Sequence, residues 1–147
     1  MPSNLTDFGE NALIGAIFGA TVSVPATFYM ALLTAAPQIS DDGTLISEPP
    51  TASGYARVSF ANTSSFWSAA SGGVVLNIAA ITFPLATADW PPVTHYAFLS
   101  ASTGGNMYLY STLQVPRVVQ SGHLCKFDIG QLSLSLQGAR QPILSTS

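Results

Sequence analysis

Charge is what this sequence most lacks. Only 7% of its 147 residues are Asp, Glu, Lys or Arg, against about 25% in an ordinary soluble domain. The four basic residues, Arg57, Arg117, Lys126 and Arg140, are scattered. With no basic cluster to neutralise phosphates, nucleic-acid binding is not expected. Cys125 is the single cysteine, so no intrachain disulfide forms and the fold must stand on packing. Its neighbours alternate apolar and polar, which reads as a small buried strand residue. One cysteine and two histidines, His95 and His123, lack the short ligand spacing of a structural zinc site. Asp41-Asp42 precedes Gly43 but lacks the oxygen-ligand repeat of a calcium loop, and reads as a solvated loop tip. There is no G-x-S-x-G elbow and no glycine-rich phosphate loop. No catalytic, cofactor or metal site is therefore expected.

Long uncharged stretches need separate treatment. Residues 11–40 and 58–88 carry no charge at all. The first exceeds the ~20 residues that a membrane helix needs. However, Thr21, Ser23, Pro25 and Thr27 interrupt it, and Asp7 and Glu10 precede it where basic flanks would be required. Neither a membrane span nor an export signal is expected.

What the sequence does have is apolar and hydroxyl surface. Hydrophobic residues make up 48%, and 18 Ser with 13 Thr supply much of the polarity. A folded monomer of this size exposes roughly 7,000 Å², so its few charges fall about one per 650 Å². That is sparse for a freely diffusing monomer and points to a subunit that hides surface in an assembly. The net charge of −3 is too small to imply a cationic partner.

Periodicity divides the chain into an N-terminal helix (1–20), a β domain (21–138) and a tail (139–147). Asn4 is placed to cap the helix, with Asp7 in its first turn. Leu5, Phe8, Ala12, Leu13, Ala16 and Ile17 form an apolar stripe that Ile14 and Phe18 widen. Gly19 ends it. Beyond Gly19, apolar segments at 27–34, 55–62, 74–84, 93–100, 107–111, 114–120, 124–129 and 132–136 are separated by Gly, Pro, Ser and Asn turns. About eight short strands so spaced predict a mainly β fold, an antiparallel β-sandwich or small barrel with one N-terminal α-helix.

The helix is apolar around more than half its circumference. The acidic loop 38–53 and the tail 139–147 are the other segments a compact β core does not need, and the helix with its neighbouring loop is expected at inter-subunit or particle-facing surfaces, with Leu5, Phe8, Ile14 and Phe18 among the buried groups. Trp67 and Trp90, with the strand tyrosines, are candidates for a contact or sugar-stacking surface.

One series of segments carries a resemblance. It runs Glu10-Asn11-Ala12-Leu13, Pro25-Ala26-Thr27-Phe28-Tyr29-Met30, Gly54-Tyr55-Ala56-Arg57-Val58, Trp67, Asn77-Ile78-Ala79-Ala80-Ile81-Thr82-Phe83-Pro84, Val93-Thr94-His95 and Thr103-Gly104-Gly105-Asn106. It closes on Phe127, Gly130, Leu132 and Leu134. In this order the chain resembles small tailed-bacteriophage virion structural proteins, of capsid decoration or tail-fibre-like type, from about residue 8 to 136. It departs from the usual pattern at Trp90-Pro91-Pro92 and after Gly138. The resemblance implies a non-enzymatic, homotrimeric subunit of the virion. A capsid decoration (cement) protein that braces the head against the major capsid protein is the first expectation, since one short domain suits a knob on a shell. The alternative is a tail, baseplate or fibre component that contacts the host surface and binds glycans through Trp67 or Trp90.

Overall fold

Alternating apolar residues of high β propensity build the centre of the molecule. In the computed structural model, which describes residues 4–19 and 23–135, the elements in chain order are β1 (Asn4–Leu5), α1 (Asp7–Ile17), β2 (Thr27–Leu33), β3 (Val58–Ala61), β4 (Val74–Leu76), β5 (Ile81–Thr82), β6 (Val93–Leu99), β7 (Met107–Arg117), β8 (Lys126–Phe127) and β9 (Ser133–Ser135). Five strands make one antiparallel sheet in the order β1-β7-β6-β2-β3. β4 pairs with β9, and β5 with β8, as two separate antiparallel ribbons. The fold is mainly β with one N-terminal helix. Of the two architectures expected, the barrel is absent: the sheet stays open.

Both faces of the central strands are covered. Met30 and Leu32 on β2, and Tyr96 and Phe98 on β6, face a large core shared with Phe66, Phe83, Trp90, Cys125, Phe127 and Leu132. Ala31, Leu33, Ala97, Leu99 and Met107 face the other way into a smaller core, against which Ile46 and Tyr110 pack. Ile46 belongs to the loop between β2 and β3. That loop, expected as a contact surface, helps cover the protomer's own sheet through Ile46, while Ile39 and Leu45 are exposed.

The segment 74–84 forms two strands rather than one because Asn77 sits between them, fully buried. Its amide donates to the carbonyls of Ala79 (2.9 Å) and Asp128 (3.0 Å), and its Oδ1 accepts the Leu132 N–H (2.9 Å). One side chain thus ties both ribbons together. Segments 107–111 and 114–120, read as separate strands, run as the single strand β7, because Thr112-Leu113 supplies no turn and pairing with β6 continues through His95–Thr112.

The N-terminus differs from expectation in its first turn. Asn4 does not cap the helix: Asn4 and Leu5 pair with Tyr110 and Leu109. Thr6 is the cap, accepting the Gly9 N–H through its hydroxyl oxygen at 3.1 Å. The reason lies in β7. A register shift between Phe98 and Leu99 leaves Tyr108 without a β6 partner, and its carbonyl accepts the Thr6 N–H at 3.0 Å. The Thr6 hydroxyl bonds to the Met107 carbonyl beside it. A β-bulge therefore seats the helix start.

Gly9 is the buried residue of α1, and a Cβ there would stand 2.1 Å from the Tyr108 carbonyl oxygen. We expect Gly9→Ala to lift the helix from β7 and to cost about 1–3 kcal/mol in urea unfolding, as overpacking does. Stability equal to wild type would show that the close approach is not required.

Candidate functional site

The residues singled out in the sequence separate into outward and inward groups. On α1, Phe8 is 43% exposed, Ile14 55%, Ile17 64% and Phe18 79%. Phe8 keeps one contact inside the protomer, an edge-on packing against Tyr108 with ring centroids 5.0 Å apart. Leu5 is half-buried on β1. Ile14 lies on the side of the helix opposite the Gly9 contact, as about 3.6 residues per turn dictates, Ile17 lies on its flank, and Phe18 follows as the C-cap.

The tryptophans do not form a platform. Trp90 is 3% exposed, which removes it from any contact or sugar-stacking surface. Its Nε1 donates to the Ser53 carbonyl at 2.9 Å, and its ring meets Tyr55 edge-on at 5.5 Å. The Pro-Pro that follows exposes itself while the indole anchors the turn in the core. Trp67 is half-buried, packed against Phe60, Phe66 and Phe98.

The candidate chemical groups are held in structural roles. Asp41 accepts the Gln38 N–H, and Asp42 accepts both the N–H and the hydroxyl of Thr44. These last two bonds lower the Asp42 pKa below its ordinary value. The acidic pair therefore shapes the loop. His95 Nδ1 bonds the adjacent Thr94 hydroxyl, and burial lowers the pKa of the ring. Cys125 is buried, and burial raises its thiol pKa against the opposing influence of Arg117. Among the described residues no group of three or more His, Cys, Asp or Glu could hold a metal ion, and no helix is long and apolar enough to cross a membrane.

The three described basic residues are already engaged. Lys126 pairs with Asp128 at the surface. Arg117 lies over the Phe127 ring, 4.0 Å from its centroid, and donates to the Lys126 carbonyl. These two residues border a groove of about 580 Å³, which Leu113, Val115 and Gln131 also line.

Arg57 forms the densest polar cluster. Its Nε donates to Glu48 Oε1 at 3.0 Å, and one terminal nitrogen reaches Glu48 Oε2 at 2.8 Å and the Gly43 carbonyl at 3.0 Å. The other donates to the carbonyls of Ala101 (2.9 Å) and Gly104 (2.8 Å). All five guanidinium donors are thereby used. Only 4% of the Arg57 side chain and 19% of the Glu48 side chain are exposed.

Tyr55 extends the cluster. Its hydroxyl donates to Glu48 Oε1 and accepts the Leu32 N–H at 3.0 Å. Burial, and then the Glu48 charge, hold its phenol far above the ordinary range. The Leu32 N–H needs this partner because β3 pairs with β2 only as far as Met30–Val58. Two residues on, the Thr34 N–H goes to the Ser47 carbonyl at 2.9 Å. The loop takes over where the strand stops. The sequence reading missed this cluster, whose available signal was one arginine in an alternating strand after the chain's most acidic segment.

A β domain braced from within, with Arg57, Glu48 and Tyr55 matched to one another, has the make-up of a structural protein. The family comparison identifies which kind. Residues 4–135 match the family described as Podophage GP4 fiber I protein gp80, and the chain belongs to that family. It is a bacteriophage fibre protein, a structural part of the virion. No curated protein matches the chain.

Removing Arg57 would leave three carbonyls without this donor and the half-buried Glu48 carboxylate without its counter-ion, held by the Tyr55 hydroxyl. We expect Arg57→Ala to cost about 3–5 kcal/mol in urea unfolding followed by tryptophan fluorescence. Arg57→Lys should recover little of it, since a point ammonium cannot replace the planar fork. A cost below about 1 kcal/mol for Arg57→Ala would place the pair in the range of exposed salt bridges.

Proposed function

We propose that this chain is a non-catalytic component of a phage tail fibre, assembling as a homotrimer and joined to tail proteins, rather than a cement protein on the head. The observation that carries this reading is the family match across 132 of 147 residues, positions 4 to 135. It favours the fibre alternative over the capsid decoration reading that the short single domain suggested first. The geometry agrees with a structural role. Arg57, Glu48 and Tyr55 satisfy one another, and Trp90 serves the core.

Self-association follows from the surface. With 7% charged residues, the domain has little electrostatic repulsion to keep copies apart. Burial of apolar side chains between copies then supplies about 25 cal/mol per Å² before association costs. The glycan reading has lost Trp90, and Trp67 is occupied by three phenylalanine rings, so contact with the host through stacked sugars is not part of the proposal.

Gold-labelled antibody against this chain, together with images of particles lacking it, tests the placement. Label at the tail, and deleted particles that lose a tail appendage while keeping intact heads, are expected. Label over the head shell, with shells that break on deletion, would return the cement reading.

A further inference from the structure

We propose that the outward face of α1, made by Ile14, Ile17 and Phe18, is a contact between copies of this chain. The inference rests on the self-association proposed above and gives it a location. Three observations converge on a second copy as the occupant.

The first is area. Phe18, Ile17 and Ile14 are 79%, 64% and 55% exposed. They present roughly 400 Å² of apolar surface on a helix of three turns. One such face alone is near the largest apolar patch that an ordinary monomer tolerates. Three such faces packed around a three-fold axis remove on the order of 1,000 Å² from water, the lower bound of a specific interface.

The second is charge. Residues 11–19 hold no charged side chain, and neither does the chain from there to residue 40. A contact between copies buries this face on every chain, and a face without charge can be buried repeatedly with no ion left unpaired. An uncharged face is compatible with its own copy, whereas it offers a charged partner nothing to pair with.

The third is the way the helix is held. Within the protomer α1 packs on β1 and β7, through Thr6, Gly9 and the edge of Phe8, and its Asp7 N–H donates to the Ile39 carbonyl of the neighbouring loop. The smaller core beneath the sheet is covered by Ile46 and Tyr110 instead. The apolar face of α1 therefore has no sheet of its own to cover it. Ile14 and Phe18, one turn apart, form a ridge, and Asn11 and Gly15 form the shallow row beside it. Ridge and groove on one helix can interlock with the same pair on another.

The test is the mass of the full-length chain in solution by light scattering at about 10 µM, for wild type, Phe18→Ser and Ile14→Ser/Phe18→Ser. Val115→Ser/Val118→Ser, at 73% and 68% exposed side chains elsewhere, is the control. Wild type and the control should be trimeric, and the double α1 variant should dissociate at least about a hundredfold more readily. Its far-ultraviolet spectrum should be unchanged. Phe18→Ser alone, which alters only a 79% exposed side chain beyond the last helical turn, should shift in the same direction without unfolding the sheet.

A trimeric wild type with an equally trimeric double variant overturns the assignment to α1 and leaves self-association standing. A trimeric double variant that no longer enters particles also overturns it, and gives the face to another virion protein. A monomeric wild type overturns both the contact and the proposed self-association, but leaves tail placement to the labelling experiment.

Discussion

The Arg57 guanidinium is the fixed point of this fold. Its five donors meet acceptors at Gly43, Glu48, Ala101 and Gly104, which lie on two different loops. A planar fork bonded on every N–H admits one arrangement of those loops. A buried ion pair gives up much of its Coulomb attraction to desolvation, so its main contribution is to conformation. It presses the 38–53 loop onto the sheet, where the Gly43 N–H reaches the Gly105 carbonyl at 2.8 Å. A side chain at Gly43 would stand 1.9 Å from the Gly104 carbonyl oxygen, so only glycine fits this approach. Ile46 is thereby brought against the smaller core.

That placement decides the fate of the helix. In a two-layer β protein the amphipathic helix commonly covers the free face of the sheet. Here that face is already closed by the loop, so α1 is left at the β7 edge. It is seated there by a bulge carbonyl and a threonine cap, with its apolar side outward. An outward apolar helix on a charge-poor surface suits a subunit made to associate, and it accords with membership of a phage fibre family.

Much of the sheet could be read directly. The runs 27–34 and 93–100 hold unbroken apolar stretches at 28–33 and 96–99, the mark of strands buried on both faces, and they became β2 and β6 with little change of boundary. What could not be read depended on partners distant in sequence. Asn4 and Thr6 are both competent caps; the Tyr108 carbonyl, about a hundred residues away, selects Thr6. Trp90 before two prolines reads as a surface loop, and only the Ser53 carbonyl reveals that it is a core anchor. Arg57 in an alternating strand reads as a solvated face. Its role appears only when the 38–53 loop folds back to supply Glu48. The exposure of Ile14 and Phe18, by contrast, was foreseeable, because the helix is apolar on more sides than one sheet can cover.

Native-state hydrogen exchange measures the dependence of the loop on Arg57 most directly. The amides of Thr34 and Gly43 are bonded only across the loop contact, to Ser47 and Gly105, whereas those of β6 lie in the centre of the sheet. In Arg57→Met, protection at Thr34 and Gly43 should fall by at least about tenfold relative to β6, as a locally opening unit requires. If both amides keep their wild-type protection while β6 is unchanged, the loop holds its place without the arginine. The account of why the helix faces outward would then be contradicted at its root.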